Sequence, residues 1–134
     1  MSESVSIIIC SKDRRRDLEQ AVLTVRKSGP ACAAAEIVVV EETDRPEPIA
    51  DVKYVAIPRD HRGFGYARNT AVQAATGTIL LFIDDDCEAN EGWGEALLAA
   101  FEENPDVLGR CPVFQAHHTF HDHVGCPGAD DVHT

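Results

Sequence analysis

The chain has 134 residues, which is about the length of one domain, and its 44% hydrophobic and 26% charged residues are typical of a folded protein rather than a disordered one. Its net charge is −11, and the excess falls entirely in residues 69–134, where Arg110 is the only Lys or Arg. So acidic a half would repel a polyanion, which argues against a nucleic-acid partner.

Three short segments are predicted to be buried strands. They are rich in β-branched residues and almost continuously apolar, which is typical of strands that are covered on both faces of a parallel sheet. In chain order they are Val5–Cys10, Glu36–Glu41 and Thr78–Ile83. Val52–Ile57 is predicted to be a weaker strand, which Pro58 stops.

Helical patterns lie between and after these strands. Residues 14–28 and 65–76 each carry one apolar stripe at helical spacing, and Gly29–Pro30 should end the first of them. Asn90 can cap a third helix, whose apolar face begins with Trp93, and we expect this tryptophan to be largely buried.

The alternation of elements predicts an α/β fold with three layers, in which helices flank a mostly parallel sheet and the crossovers are right-handed. A fifth candidate strand covers Asp106–Val113. We therefore place one domain at residues 1–113 and an irregular, histidine-rich tail at residues 114–134.

Three of the predicted strands lead into polar clusters. These clusters are Cys10–Asp13, Glu41–Asp44 and Asp84–Asp86. In an open parallel sheet, ligands bind at the carboxyl ends of the strands, so the three clusters should lie together at one edge and form a ligand site.

The run Asp84–Asp86 is the sharpest of these features. Three successive carboxylates repel one another, and a hard cation such as Mg²⁺ or Mn²⁺ would relieve the repulsion. The alternative is a solvated acidic turn that caps the next helix. Arg68, the last basic residue before the acidic half, can pair with these aspartates, grip a phosphate, or do both.

In this order and spacing, the motifs resemble the N-terminal, nucleotide-binding half of family 2 glycosyltransferases, which have the GT-A fold. The resemblance rests on the first two strands with their polar ends, on Tyr66–Asn69 as an ARN segment, on Phe82–Asp86 as a DxD motif, and on Gly92–Trp93. It covers about residues 4–113.

The resemblance implies a role for each matching residue. Cys10, Ser11 and Asp13 would line the nucleotide site, and Glu41, where the family usually has aspartate, would accept a hydrogen bond from the base. Arg68 would lie beside the diphosphate.

For the aspartates, the resemblance implies that Asp84 contacts the ribose or the metal shell and that Asp86 binds Mn²⁺ or Mg²⁺, which bridges the diphosphate. Asp85 is counted with the substrate-binding residues. The donor would be a nucleotide diphosphate sugar, with a UDP-sugar favoured, and the metal would stabilise charge on the leaving nucleotide.

Family members continue well beyond the length of this chain, with an acceptor site and a catalytic carboxylate. The segment Gly128–His133 has a faint likeness to the motif that carries this carboxylate, with Asp131 at the position of the base, and coincidence is the alternative.

The tail also offers nitrogen and sulfur ligands that suit Zn²⁺ or Ni²⁺: His117, His121, His123 and Cys126. The alternatives are a flexible polar tail, or one histidine that joins the metal at the DxD motif.

Three functions follow from the sequence. The first is an inverting glycosyltransferase that acts on an unknown acceptor. The second is a non-catalytic nucleotide-sugar or metal-binding module that completes its site by oligomerisation. The third, a receiver-like or phosphatase-like domain, lacks a matching lysine near a final strand.

The sequence also permits predictions about membrane insertion, secretion and cellular location. The longest apolar run, Ala96–Phe101, is far short of the roughly 20 residues that a membrane span needs. The first residues lack the basic start of a secretory signal, and five cysteines without a CxxC pair argue against a disulfide framework. We therefore expect a cytoplasmic protein that can form a homo-oligomer.

Overall fold

The computed structural model describes residues 4–60 and 63–104. Its four strands are all parallel and lie in the order β3-β2-β1-β4. Their bounds are Val5–Lys12 for β1, Glu36–Glu42 for β2, Lys53–Ile57 for β3 and Ile79–Phe82 for β4. The predicted strands are therefore confirmed, with shifts of one or two residues at their ends.

The helices cover both faces of this sheet. The four helices of the described residues are α1 (Arg15–Lys27), α2 (Pro30–Ala33), α3 (Gly63–Ala74) and α4 (Trp93–Glu103). Side chains of α1, α2 and α4 form one core against one face, while α3 packs Ala67 and Ala71 against the other. The three-layer α/β fold is thus confirmed.

Alternate residues of β1 supply the two cores. Ile7 and Ile9 belong to the core on the α1 face, whereas Ile8 belongs to the core on the α3 face. Each of these three side chains is at most 1% exposed. This burial on both faces explains why the strand is continuously apolar, because neither face meets water.

Three local features differ from the sequence-based expectations. The short helix α2 was not predicted; it begins with Pro30 in its first turn and is joined to α4 by a hydrogen bond from the Ala31 N–H to the Glu95 carboxylate. The residue that caps α4 is Gly92 in the left-handed region, not Asn90, whose carbonyl accepts the Trp93 N–H. Trp93 packs against the core but is only partly buried.

Two expectations fall outside the described residues: the fifth strand at Asp106–Val113 and the histidine-rich tail at residues 114–134. Within the described residues, no helix is both long enough and apolar enough to cross a membrane.

Candidate functional site

The carboxyl ends of three strands form the edge of the sheet that carries the site. Ser11 and Lys12 of β1 pair in register with Glu41 and Glu42 of β2. Because β4 runs parallel to β1 on its other side, Asp84–Asp86 follow at the same edge. The polar clusters after β1, β2 and β4 therefore lie at one edge of the sheet, as predicted.

The three aspartates have different surroundings. Asp85 is buried, and one of its carboxylate oxygens accepts a hydrogen bond of 2.8 Å from the Ser11 hydroxyl. Burial raises the pKa of Asp85, against the opposing effects of this hydrogen bond and of the nearby Arg14. Asp84 and Asp86 are exposed. The middle residue thus fastens the acidic turn to β1, and its two neighbours face solvent.

Two arginines balance the charge of this turn. Arg14 Nη1 lies 3.3 Å from Asp85 Oδ1 and 3.2 Å from Asp86 Oδ2. Arg68, on α3, places Nη2 3.9 Å from Asp84 Oδ1. Both arginines and all three aspartates line one cleft, whose walls also include Cys10 and Phe82. Because the cleft has carboxylates beside guanidinium groups, it suits a ligand that combines a cation with phosphates.

Two thiols adjoin the acidic turn. Burial raises the pKa of Cys10 to about 11 and that of Cys87 to about 12, and neighbouring aspartates add to both shifts. Both thiols are therefore protonated near neutral pH and neither is an activated nucleophile.

The donor set fits a divalent cation. Asp84, Asp86 and Cys87 each offer a ligand atom within 4.8 Å of the others. The two carboxylates are exposed and carry hard oxygen donors, which Mg²⁺ and Mn²⁺ prefer. Thiolate is a soft ligand that suits zinc better than Mg²⁺ or Mn²⁺, so the two carboxylates are the pair best suited to such an ion.

The two glutamates that end β2 face opposite sides of the sheet. Glu41 lies on the α1 face, where its Oε1 accepts hydrogen bonds from the Tyr54 hydroxyl and from Arg15 Nη1. Burial and this hydrogen bond raise the pKa of Tyr54, in keeping with its role as a donor. The carboxylate that was expected to meet a base is thus already engaged.

Glu42 lies on the α3 face, which is also the face of Cys10 and Arg68. Its Oε2 is buried and accepts no hydrogen bond from the described residues, although Lys12 Nζ lies 3.4 Å away. At that distance the ammonium supplies charge without a directed hydrogen bond. Glu42 therefore retains an acceptor oxygen at the edge that holds the cleft.

Asp13 directly follows β1 at the same edge, and its backbone there is left-handed with φ of 60°. Its carboxylate accepts a hydrogen bond from Arg59, which holds the pKa of Asp13 below its usual range. Arg59 also lies 3.8 Å from Asp44 and so links the loops after β1, β2 and β3.

Most residues that were chosen from the sequence meet at this edge: Cys10, Ser11, Asp13, Arg68, Asp84, Asp85 and Asp86. Asp131, the candidate base, lies outside the described residues. Arg14 and Glu42 also lie at this edge, and neither was among the site residues predicted from the sequence. The signal for Arg14 was a run of three arginines directly after the first polar cluster, which is more basic than the start of a helix ordinarily is.

The sequence and the fold both have known counterparts. Residues 6–126 match the family model described as "Glycosyl transferase family 2". A glucosyl-dolichyl phosphate glucuronosyltransferase of Haloferax volcanii is 30% identical over 114 residues, which is 78% of this chain and 36% of that protein. Polypeptide N-acetylgalactosaminyltransferase 11 of Xenopus tropicalis is 32% identical over 81% of this chain and 20% of its own length. The chain thus spans about a third or less of these curated relatives.

Solved structures share the fold at lower sequence identity. Residues 1–349 of S. aureus TarS superpose with a TM-score of 0.69 at 19% identity, over 89% of this chain and 38% of that one. The mannosyltransferase PcManGT of Pyrobaculum calidifontis, solved in complex with GDP-Man and Mn²⁺, gives a TM-score of 0.67 at 20% identity, over 86% of this chain and 36% of that one.

Proposed function

Because the chain belongs to glycosyl transferase family 2, we propose that its described domain binds a nucleotide diphosphate sugar, the donor for transfer of the sugar to an acceptor. The observation that carries this proposal is the pair of exposed carboxylates, Asp84 and Asp86, in one cleft with Arg68. The cleft combines a site for a divalent cation with a fixed positive charge, and a nucleoside diphosphate needs both.

Asp84 and Asp86 would hold Mn²⁺ or Mg²⁺, as a DxD motif does. When bound, the cation supplies Lewis-acid stabilisation of the negative charge on the diphosphate leaving group. Arg68 contributes a second positive charge at the cleft. The complex of PcManGT with GDP-Man and Mn²⁺ supports a metal of this kind in a similar fold.

We assign recognition of the base to Glu42 in preference to Glu41. Glu41 already accepts hydrogen bonds from Tyr54 and Arg15, whereas Glu42 has a buried oxygen with no such donor among the described residues. A carboxylate accepts the imide N–H of uracil, and a UDP-sugar is therefore the favoured donor. TarS has been solved with UDP and with UDP-GlcNAc, which supports this choice by analogy.

The proposed reaction is an inverting transfer. The oxygen of an acceptor hydroxyl forms a bond to the anomeric carbon while the bond from that carbon to the diphosphate oxygen breaks. The hydroxyl proton passes to a carboxylate base, and the electron pair of the broken bond leaves with the nucleoside diphosphate. Asp131 is the candidate base in this chain.

A thermal-shift panel tests donor binding. UDP, GDP, TDP and CDP are each added with Mn²⁺ and with EDTA, because a ligand above its dissociation constant raises the melting temperature. We expect UDP to stabilise the protein more with Mn²⁺ than with EDTA, and Asp86→Ala to abolish that gain. Glu102→Gln, which removes one exposed charge at the end of α4, is the control. Equal stabilisation with Mn²⁺ and with EDTA would contradict the metal assignment.

A second measurement separates a transferase from a binding module. The wild type is incubated with a UDP-sugar and Mn²⁺, and release of UDP is followed without and with candidate acceptors. An active domain releases UDP slowly in water and faster with an acceptor, because a positioned acceptor replaces water in the open site. Binding without any release favours the non-catalytic module.

A further inference from the structure

Asp86 has two competing partners in the cleft. Its carboxylate is one of the two oxygen donors that suit a divalent cation, and its Oδ2 lies 3.2 Å from Nη1 of Arg14. A guanidinium and a divalent cation repel each other at this range. When both contact the Asp86 carboxylate, this repulsion weakens the binding of each. Binding of a cation to Asp86 must therefore weaken or displace the contact with Arg14.

Arg14 has a second anchor, which does not depend on Asp86. The same Nη1 lies 3.3 Å from Asp85 Oδ1. Asp85 is itself fixed, because it is buried and its other oxygen accepts the Ser11 hydroxyl. When Asp86 turns to a cation, Asp85 can still hold Arg14 at the wall of the cleft.

The guanidinium also has donors to spare. Both contacts with the aspartates use Nη1, and an arginine carries five N–H donors in a planar fork that matches phosphate oxygens. The side chain is 52% exposed, so it has room to rotate within the cleft that it lines.

We propose that Arg14 couples metal binding to diphosphate binding: it neutralises Asp86 until a cation arrives and then pairs with the diphosphate of the incoming nucleotide. This inference rests on the proposed function. It predicts that metal and nucleotide bind cooperatively, since each ligand relieves a charge that the other leaves unbalanced.

The test compares three variants at the start of α1. Arg14→Gln removes the charge, and Arg14→Lys keeps the charge but loses the planar fork. Arg16→Gln is the matched control, because Arg16 is exposed in the same turn and makes no ion pair within residues 4–60 and 63–104. Binding of Mn²⁺ alone is titrated by electron paramagnetic resonance. UDP and GDP are titrated by calorimetry with Mn²⁺ and with EDTA.

We expect Arg14→Gln to bind Mn²⁺ alone about 3- to 10-fold more tightly than the wild type, because a half-exposed competing charge is gone. The factor by which Mn²⁺ strengthens UDP binding should fall by about tenfold, since the diphosphate loses a charged donor. Arg14→Lys should keep the weaker Mn²⁺ binding of the wild type and lose part of the coupling. Arg16→Gln should match the wild type in both measurements.

Two negative results are distinguishable. A wild type that binds UDP or GDP with Mn²⁺, together with an Arg14→Gln protein that matches Arg16→Gln in both measurements, would overturn this inference and leave the proposed function intact. A wild type that binds neither nucleotide would overturn the proposed function, and the coupling with it.

Discussion

At the scale of single residues, three identical side chains in succession have unlike environments. Asp85 is buried and bonded to Ser11, while Asp84 and Asp86 are exposed. The turn after β4 therefore does not need a cation to balance all three charges, because Arg14 and Ser11 already satisfy the middle one. Only the outer pair remains for a ligand.

The two glutamates that end β2 permit a matched test of base recognition. Glu42→Gln should weaken UDP binding by about 10- to 100-fold, which is the value of one hydrogen bond to a charged acceptor. Glu41→Gln should leave the affinity for UDP nearly unchanged but lower the free energy of unfolding by about 1–3 kcal/mol, because the shared acceptor of Tyr54 and Arg15 loses its negative charge. Calorimetry measures the affinity for UDP, and urea unfolding measures the stability. If Glu41→Gln weakened UDP binding and Glu42→Gln did not, Glu41 would be the residue that binds the base.

Glu36 gives a prediction about stability and pH at the other end of β2. Burial alone raises the pKa of Glu36, but hydrogen bonds from Ser6, Thr76 and Lys53 outweigh it and hold the pKa at about 2. A folded-state pKa below the unfolded value of 4.5 means that the carboxylate stabilises the fold above pH 4.5. This contribution is lost as the pH falls through the folded value near 2.

Glu36→Gln should therefore lower the free energy of unfolding at pH 7 by about 1–3 kcal/mol. Urea unfolding at pH 7, 4 and 2.5 should show that the difference from the wild type shrinks with acid. Glu19→Gln is a control, since Glu19 is exposed and its ion pair within residues 4–60 and 63–104 is with Arg15 of the same helix. A difference that is constant across this pH range would contradict the assignment.

At the scale of elements, the sequence predicted each strand but not which way its polar end faces. A strand that is buried on both sides has no alternation between apolar and polar residues. For this reason nothing in the run from Ile37 to Val40 shows which face of the sheet Glu41 or Glu42 joins, and the assignment of the base to Glu41 rests on the family resemblance alone. Only the register with β1, which pairs Lys12 with Glu42, decides the face.

The helix ends that were not predicted depend on contacts between distant parts of the chain. The carboxylate of Glu95 accepts the N–H of Ala31 and so holds α2 against α4, across 64 positions of sequence. In addition, the Gly92 N–H donates to the carbonyl of Ser28. Local propensity favoured Asn90 as the cap because its side chain is a good acceptor, and the tertiary bond at Gly92 prevailed.

The connection between α3 and β4 permits a test with two glycines. A Cβ on Gly77 would lie 2.7 Å from the Ser6 backbone nitrogen and 2.8 Å from the Val5 carbonyl carbon, whereas a Cβ on Gly65 meets nothing within 4 Å. Gly77→Ala should thus lower the free energy of unfolding by about 1–3 kcal/mol, because backbone atoms of β1 must shift. Gly65→Ala, inside α3, should raise it by about 0.5–1 kcal/mol. Urea unfolding measures both, and equal effects would contradict the close packing at Gly77.

At the scale of the whole molecule, charges from the two halves of the chain meet at the site. The first 68 residues carry no net charge and the remainder carries −11. Arg14 and Arg68 come from the neutral half, and the aspartates that they contact come from the acidic one. The first half of the chain thus supplies both the arginines that balance the aspartates and β1, the strand that pairs with β4.

The last prediction concerns residues 115–134, which contain Asp131 together with the candidate ligands His117, His121 and His123. Every group that we assign to donor binding lies among the residues that the structure describes. Deletion of residues 115–134 should accordingly leave the affinity for UDP in the presence of Mn²⁺ within about threefold of the wild type, which is less than 1 kcal/mol. Calorimetry with Mn²⁺ and with EDTA measures this affinity for both proteins.

The two titrations also identify what a larger loss would mean. The family match extends to residue 126, so a contribution from this segment is a real alternative. If the affinity falls tenfold or more with Mn²⁺ but not with EDTA, the segment supplies a ligand to the metal site, because only the metal-dependent part of binding is lost. If the affinity for UDP falls by the same factor with Mn²⁺ and with EDTA, the segment contacts the nucleotide itself. If donor binding persists and slow release of UDP disappears, the deleted residues include the base, and Asp131→Asn in the full chain should reproduce that loss.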